Sequence, residues 1–321
     1  MKNNRWKKLM VAIRDTSPES RALLRKAVAL ADRFGASLEV LHVSAVNDEV
    51  FTIPTHLRGP NSLEEIRKAQ QHWLQKMVKP LQTSSRRITC VSVLDYPIFD
   101  GIVRQVIKRK PDLLIANSPH HSRAARLFLA NSDWELIRNC PCPLWLAKST
   151  RLKPSLSVLA SVDPFHSHAK SVDLDSAILD AAGQVVGTGA GRLSVVHAYT
   201  VPPNLTSGVG EVAVLVPATP AESRRHKTRV RDMVKRTTKR YAIAARNLLI
   251  VEGEPATCIS QQAKKSKADV LVMGAVSRLG LKRIFIGHTA ERVLDDVQCD
   301  ILVIKPASFK SSVTRQTATA R

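Results

Sequence analysis

A chain of 321 residues, 44% of them hydrophobic and 24% charged, is long enough for about two domains of ~150 residues, each with its own core. No apolar run approaches the ~20 residues that span a bilayer, and the basic start from Met1 to Lys8 leads straight into a short strand pattern rather than a signal core, so a cytoplasmic protein is expected. The net charge of +22 favours anionic partners, while five cysteines without framework spacing fit a reducing compartment and exclude a disulfide scaffold.

In chain order, apolar strand patterns fall at about 8–14, 38–43, 87–93, 112–117 and 143–147, with amphipathic helical patterns at 18–33, 62–81, 98–109 and 124–138 between them. Lys148 to Pro154 reads as a linker. The order then repeats: strands at about 156–162, 192–198, 247–252, 269–274 and 300–304, helices at 173–186, 220–241, 256–266 and 282–295. Aligning Asp112 with Asp269 also aligns Leu114 with Leu271, Arg126 with Arg283, Phe128 with Phe285, Cys142 with Cys299 and Lys148 with Lys305 without a gap. Such a long period means duplicated domains, not a solenoid. The expected units are 1–150, 151–306 and a mobile polar tail, 307–321. Alternating strands and helices predict an α/β fold of two tandem, doubly wound parallel sheets. Ligands of such sheets bind beyond the carboxyl ends of the strands. Asp15 and Asp163, each ending the first strand of its half, together with Asn117 and Gly274, belong on that edge.

Two stretches are specific. Val272-Met273-Gly274-Ala275-Val276-Ser277, followed by Gly287-His288-Thr289 and Cys299-Asp300-Ile301, places a glycine turn between a strand and a helix, a geometry that suits a phosphate because backbone N–H groups and a helix N-terminus face the anion. Asp163-Pro164-Phe165-His166-Ser167-His168 opens the second half. On these residues, and over Leu9 to Lys305, the chain resembles the tandem, E-type members of the universal stress protein family. The resemblance implies an internal pseudo-dimer, with Leu144-Trp145-Leu146 meeting Ile301-Leu302-Val303 as edge strands, so that any further homodimer uses other surfaces. It also implies an ATP or other nucleotide site in the second half. The ATP-binding pattern there is glycine, two residues, glycine, nine residues, glycine and Ser or Thr. Its glycines fall on Gly274, Ser277 and Gly287, followed by His288 and Thr289, with Asp163 as the base-contacting acid. Met273 completes the candidate set. The first-half loop carries Asn117, His120, Ala130 and Asn131 instead, and a phosphate cradle is not expected there.

Each of these residues also has a plainer use. Gly274 and Gly287 suit tight turns and close packing, Asp15 and Asp163 suit helix caps, and His42 and His197, at matching strand ends, suit structural hydrogen bonds. His166 and His168 read as ordering the Asp163 turn rather than holding a metal. Cys140 and Cys142, one proline apart, are poor zinc geometry, and Cys142 and Cys299 read as small buried hydrophobes.

The densest charge lies in 220–241, where Val230, Met233, Val234 and Tyr241 share one helical face. Arg224, Arg225, Arg229 and Arg236 lie on the other, which offers an unspecific, salt-sensitive surface for polyanions. Nucleophile elbows, nucleotide P-loops and zinc-protease motifs are missing from the sequence. The expected function is therefore non-enzymatic, a stress-response protein acting through ligand-responsive or partner-binding surfaces. The alternatives are a nucleotide-binding or weakly ATP-hydrolysing protein and a nucleic-acid-associated factor.

Overall fold

A computed structural model describes residues 6–45, 62–83, 87–118, 131–165, 173–187, 190–207, 213–241, 243–274, 276–277, 285–286 and 288–313. The first half contains strands β1 (Lys8–Ala12), β2 (Ser37–Ser44), β3 (Ile88–Leu94), β4 (Leu113–Asn117) and β5 (Leu144–Ala147), with helices α1 (Pro18–Phe34), α2 (Ser62–Val78), α3 (Ile98–Arg109) and α4 (Asn131–Asn139). In the second half, strands β6 (Ser157–Ser161), β7 (Arg192–Tyr199), β8 (Asn204–Ser207), β9 (Ala213–Val216), β10 (Leu248–Glu252), β11 (Val270–Gly274), β12 (Val276–Ser277), β13 (Phe285–Ile286) and β14 (Asp300–Ile304) accompany helices α5 (Leu174–Val186), α6 (Pro220–Thr238), α7 (Pro255–Lys265) and α8 (His288–Asp296).

Local chemistry sets these boundaries. Helix α1 starts where Ser17 accepts the Ser20 N–H, with Pro18 in the first turn, and stops at Gly35, whose left-handed φ of 62° lets its N–H return to Ala31 and Asp32. Leu23, Leu24, Ala27, Leu30 and Phe34 are its buried side. Helix α6 opens on a reciprocal capping box between Thr219 and Glu222.

One ten-stranded sheet runs through both halves in the order β10-β7-β6-β11-β14-β5-β4-β1-β2-β3. Strands pair in parallel within each half, and the halves join by a single antiparallel ladder of Ile301 with Leu146, Leu302 with Trp145 and Val303 with Leu144. This is the internal pseudo-dimer that the resemblance implies, through the same two strand segments. All six side chains are buried, and the apolar layers on both sheet faces run across the seam.

Lysines follow both seam strands. Lys148, after β5, donates to the Val297 carbonyl at 2.9 Å and to that of Leu294, at the end of α8. Lys305, after β14, donates to the Arg138 carbonyl at 3.0 Å, at the end of α4. Each half thus neutralises a helix C-terminus of the other.

The structure bears on the sequence-based expectations at several places. The β8–β9 hairpin was not expected, and neither was the short antiparallel pair β12–β13, which joins Val276 to Ile286 and Ser277 to Phe285. The helix expected at 282–295 begins at His288, after that pair. The one expected at 124–138 is described from Asn131 on, residues 119–130 lying outside the described residues. Within the segment expected as a mobile tail, Ser312 donates to Asn139 and Val313 joins the apolar layer containing Cys140.

Candidate functional site

Because the halves join antiparallel, the carboxyl ends of their strands lie on opposite edges of the sheet, so each half has its own candidate cleft. In both, a histidine on the second strand is buried and donates from Nδ1 to the carbonyl beyond the first strand, His42 to Ile13 at 2.9 Å and His197 to Val162 at 3.0 Å. These are the structural hydrogen bonds expected of the pair.

Around that shared frame the clefts differ. In the first half, Asp15 Oδ1 accepts the Ser17 N–H at 2.9 Å and the Ser20 hydroxyl at 2.7 Å. Those hydrogen bonds hold its carboxyl below the usual range, Ser17 contributing most. Asp15 is thus occupied at the start of α1. The His42 ring meets Trp73 edge-on at 4.8 Å, and burial pushes the imidazole pKa down. Gln70 and Gln71 bond to Ser44, Cys90 and Ser92, covering the ends of β2 and β3.

In the second half, α5 is not capped by Asp163. Its N-cap is Asp173, and Asp163 lies half-buried on the edge, its N–H donating to Asp175 Oδ1 at 3.1 Å. The Phe165 ring lies 5.8 Å from that of His197. With Nδ1 committed to the Val162 carbonyl, Nε2 is the ring's remaining hydrogen-bonding atom. Nε2 is buried and has no hydrogen-bond partner among the described residues. At the ends of the neighbouring strands Tyr199 donates to Glu252 at 3.3 Å, and His226 of α6 lies over the Tyr199 ring at 5.6 Å.

The sequence candidates divide accordingly. Gly274 ends β11 at the cleft, and a Cβ there would stand 2.9 Å from the Leu174 side chain, so glycine lets α5 sit close on the sheet. The Met273 side chain is buried in the apolar layer against α7 and α8. The Ser277 backbone is engaged in the β12–β13 pair. His288 and half-buried Thr289 form the start of α8. Gly287, His166 and His168 lie outside the described residues, as do His120 and Ala130 of the first-half loop. Sequence reasoning gave no ligand role to Phe165, Asp175, Tyr199 or Glu252; the cue was the aromatic residue two positions after Asp163.

Arg224, Arg225, Arg229 and Arg236 are all exposed on α6, while Val230, Val234 and Thr238 face inward. The inner face packs with Tyr199, Phe165, Val201 and Ile250. The basic face and the second-half cleft therefore share one helix.

The sequence model of the Universal stress protein family matches residues 5–148 and 171–305, one copy for each half of the sheet. The chain belongs to the universal stress protein family. It is 26% identical over 315 residues to universal stress protein E of Photorhabdus laumondii, covering 96% of this chain and 98% of that one. To universal stress protein E of Escherichia coli K12 it is 26% identical over 312 residues, covering 95% and 96%. Its fold is shared by a crystal structure from Pseudomonas aeruginosa PAO1, at a TM-score of 0.70 and 24% identity over 94% of this chain and 93% of the other. A universal stress protein from Archaeoglobus fulgidus matches at a TM-score of 0.62 and 15% identity, over 93% and 97%. No helix among the described residues of this universal stress protein is long and apolar enough to cross a membrane.

Proposed function

We propose that this chain serves a cytoplasmic stress response by binding rather than by turnover, with one small-molecule site, in the second half. The observation that carries this reading is the difference between matching histidines: His42 is packed by Trp73, whereas the buried Nε2 of His197 has no partner among the described residues and is free to accept from a ligand N–H or O–H. Asp163, Gly274, Thr289 and the Phe165 ring supply the surrounding carboxylate, close backbone approach, helix start and apolar face. An adenine nucleotide has the matching features, a ring with N–H donors and an anionic tail. The family's ATP pattern, kept at Gly274 and Gly287 but not at Ser277 or His288, makes ATP the first ligand to try.

Native mass spectrometry of the purified chain, with and without added ATP, tests this reading. The expected spectrum shows one ligand per chain, lost in His197→Ala and kept in His42→Ala. Two ligands per chain, or loss with His42→Ala alone, would overturn the assignment to one half. Sustained phosphate release that disappears in Asp163→Asn would overturn binding without turnover.

The exposed arginines of α6 favour a second activity, unspecific association with nucleic acid or another polyanion. Because the same helix packs over Tyr199 and Phe165, this face is also where an occupied cleft would be sensed by a partner.

A further inference from the structure

Cys140 and Cys142 flank Pro141 at the end of α4, and their Sγ atoms stand 3.6 Å apart. Cys140 is wholly buried and Cys142 partly so. At that separation the two sulfurs are in direct contact, short of the ~2.05 Å bond of a disulfide. Lys305 of the other half enters the same place, its Nζ on the Arg138 carbonyl and 3.7 Å above the Phe309 ring. In the aligned position of the second half, Cys299 matches Cys142 but Val297 replaces Cys140, so the pair exists in one half only.

We propose that Cys140 and Cys142 form a peroxide-reactive dithiol site that cycles between two thiols and an intrachain disulfide at the seam. The Cys140 thiolate attacks one oxygen of hydrogen peroxide. The O–O bond breaks, and the departing hydroxide takes up the proton that Cys140 released, giving water and a Cys140 sulfenic acid. The Cys142 sulfur then attacks the Cys140 sulfur, and the S–O bond breaks. Hydroxyl leaves as a second water with the Cys142 proton. Two thiols are oxidised by two electrons and one peroxide is reduced to two waters; a dithiol reductant reverses the disulfide.

Selectivity follows from the surroundings. The hydrogen bond shared with Cys142, with a smaller contribution from the Lys305 charge, holds the Cys140 thiol below its ordinary range, and the same hydrogen bond together with burial raises Cys142, the resolving partner. Burial pushes Cys90 and Cys299 up to about 11 and raises Cys258 as well. Order of reaction should therefore follow the thiol environment rather than exposure, with the Cys140–Cys142 pair oxidised before Cys90 and Cys299, which are part-buried like Cys142.

The test exposes the intact, folded, reduced chain to graded hydrogen peroxide, followed by alkylation and trypsin. The tryptic peptide from Asn139 to Lys148 holds both thiols and no other cysteine. The expected result is a peptide lighter by two hydrogens and unalkylated, formed about tenfold faster than Cys90 or Cys299 loses its alkylation, and restored by dithiothreitol. In Cys142→Ser, dimedone should label Cys140 and the disulfide should be lost. Full alkylation of this peptide at doses that oxidise Cys90 or Cys299, or a disulfide that forms only in denaturant, would overturn the proposal. Those wild-type rates decide the matter even where the Cys142→Ser chain fails to fold.

Discussion

Lys26 and Asp300 form an ion pair across the seam, with side chains 1% and 2% exposed. Lys26 projects from α1 of the first half, and Asp300 begins the last strand of the second. Asp300 also accepts the Trp145 indole N–H at 2.9 Å and the backbone N–H groups of Lys148 and Ser149, both at 3.0 Å. Lys26 completes its shell on the Ser149 carbonyl and hydroxyl. Burial pulls the Lys26 pKa down and the Asp300 charge opposes it, the balance expected of a pair held by geometry more than by net Coulomb gain.

Asp300→Asn should therefore destabilise the chain by about 3–5 kcal/mol, because it strands a buried ammonium. Adding Lys26→Met should recover most of that loss. Chemical denaturation of the two single variants and the double variant gives the coupling; additive losses would mean that the two side chains act separately.

Val303→Lys places a charge opposite Leu144 in a fully buried ladder. A loss of at least about 3 kcal/mol is expected, felt by both halves, because an unpaired charge in that layer has no solvent and no partner. Calorimetry should show one cooperative transition moved down in temperature. A first-half transition left at its original temperature would mean that the halves do not share the seam energetically.

At Gly274, the contact with Leu174 sets the expectation. Alanine should cost up to about 1 kcal/mol and valine about 1–3 kcal/mol, since the near atom is the end of a flexible side chain. Gly274→Ala and Leu174→Ala should be non-additive in a thermodynamic cycle. Strict additivity would return Gly274 to a role confined to ligand approach.

Replacing Arg224, Arg225, Arg229 and Arg236 by Gln should leave thermal stability nearly unchanged, because exposed charges contribute little individually. Elution from heparin should move to lower salt, and the slope of log affinity against log salt should fall by about 3 to 4. Equal retention of both proteins would place polyanion binding elsewhere.

Burial pushes the Lys305 ammonium down to about 7, against an ordinary value near 10.4 in an unfolded chain. Between these values the unfolded state holds more protons than the folded one. The penalty is thus full below pH 7 and lifts as pH rises, by at most about 1.4 kcal/mol per unit. Cys140 and Cys142 face Lys305, so the clean comparison is Lys305→Met against Lys305 in a Cys140→Ser, Cys142→Ser background. The stability difference should shift in favour of Lys305 between pH 7 and 10; a flat difference would mean that Lys305 stays charged throughout.

Most of the sheet was legible because its strands are apolar, β-branched runs separated by capped amphipathic helices, as in β2, α1 and β4. The seam was legible because Leu144 to Leu146 and Ile301 to Val303 are too apolar to stand as open edges. The Lys26–Asp300 pair was not: each residue makes sense only beside a partner distant in sequence, and Lys26 reads locally as a charge on a helix. The packing of Gly274 on Leu174 and the contact of Trp73 with His42 are hidden for the same reason. The hairpin at Asn204–Val216 was missed because its strands are four residues each and lie in a stretch rich in proline and glycine.

The antiparallel ladder between β5 and β14 has a consequence for how such a chain changes over evolutionary time. In an assembly of two identical chains every substitution arrives twice, once on each side of the axis, and must be tolerated in both places. Tethering the two sides into one polypeptide removes that constraint and makes their pairing insensitive to dilution. Asp300 can then stand opposite Lys26 once, with Pro143 at the matching position, and the two clefts can differ, with Trp73 against His42 in one and Phe165 against His197 in the other. The fused sheet is a scaffold on which two sites that began alike are free to specialise.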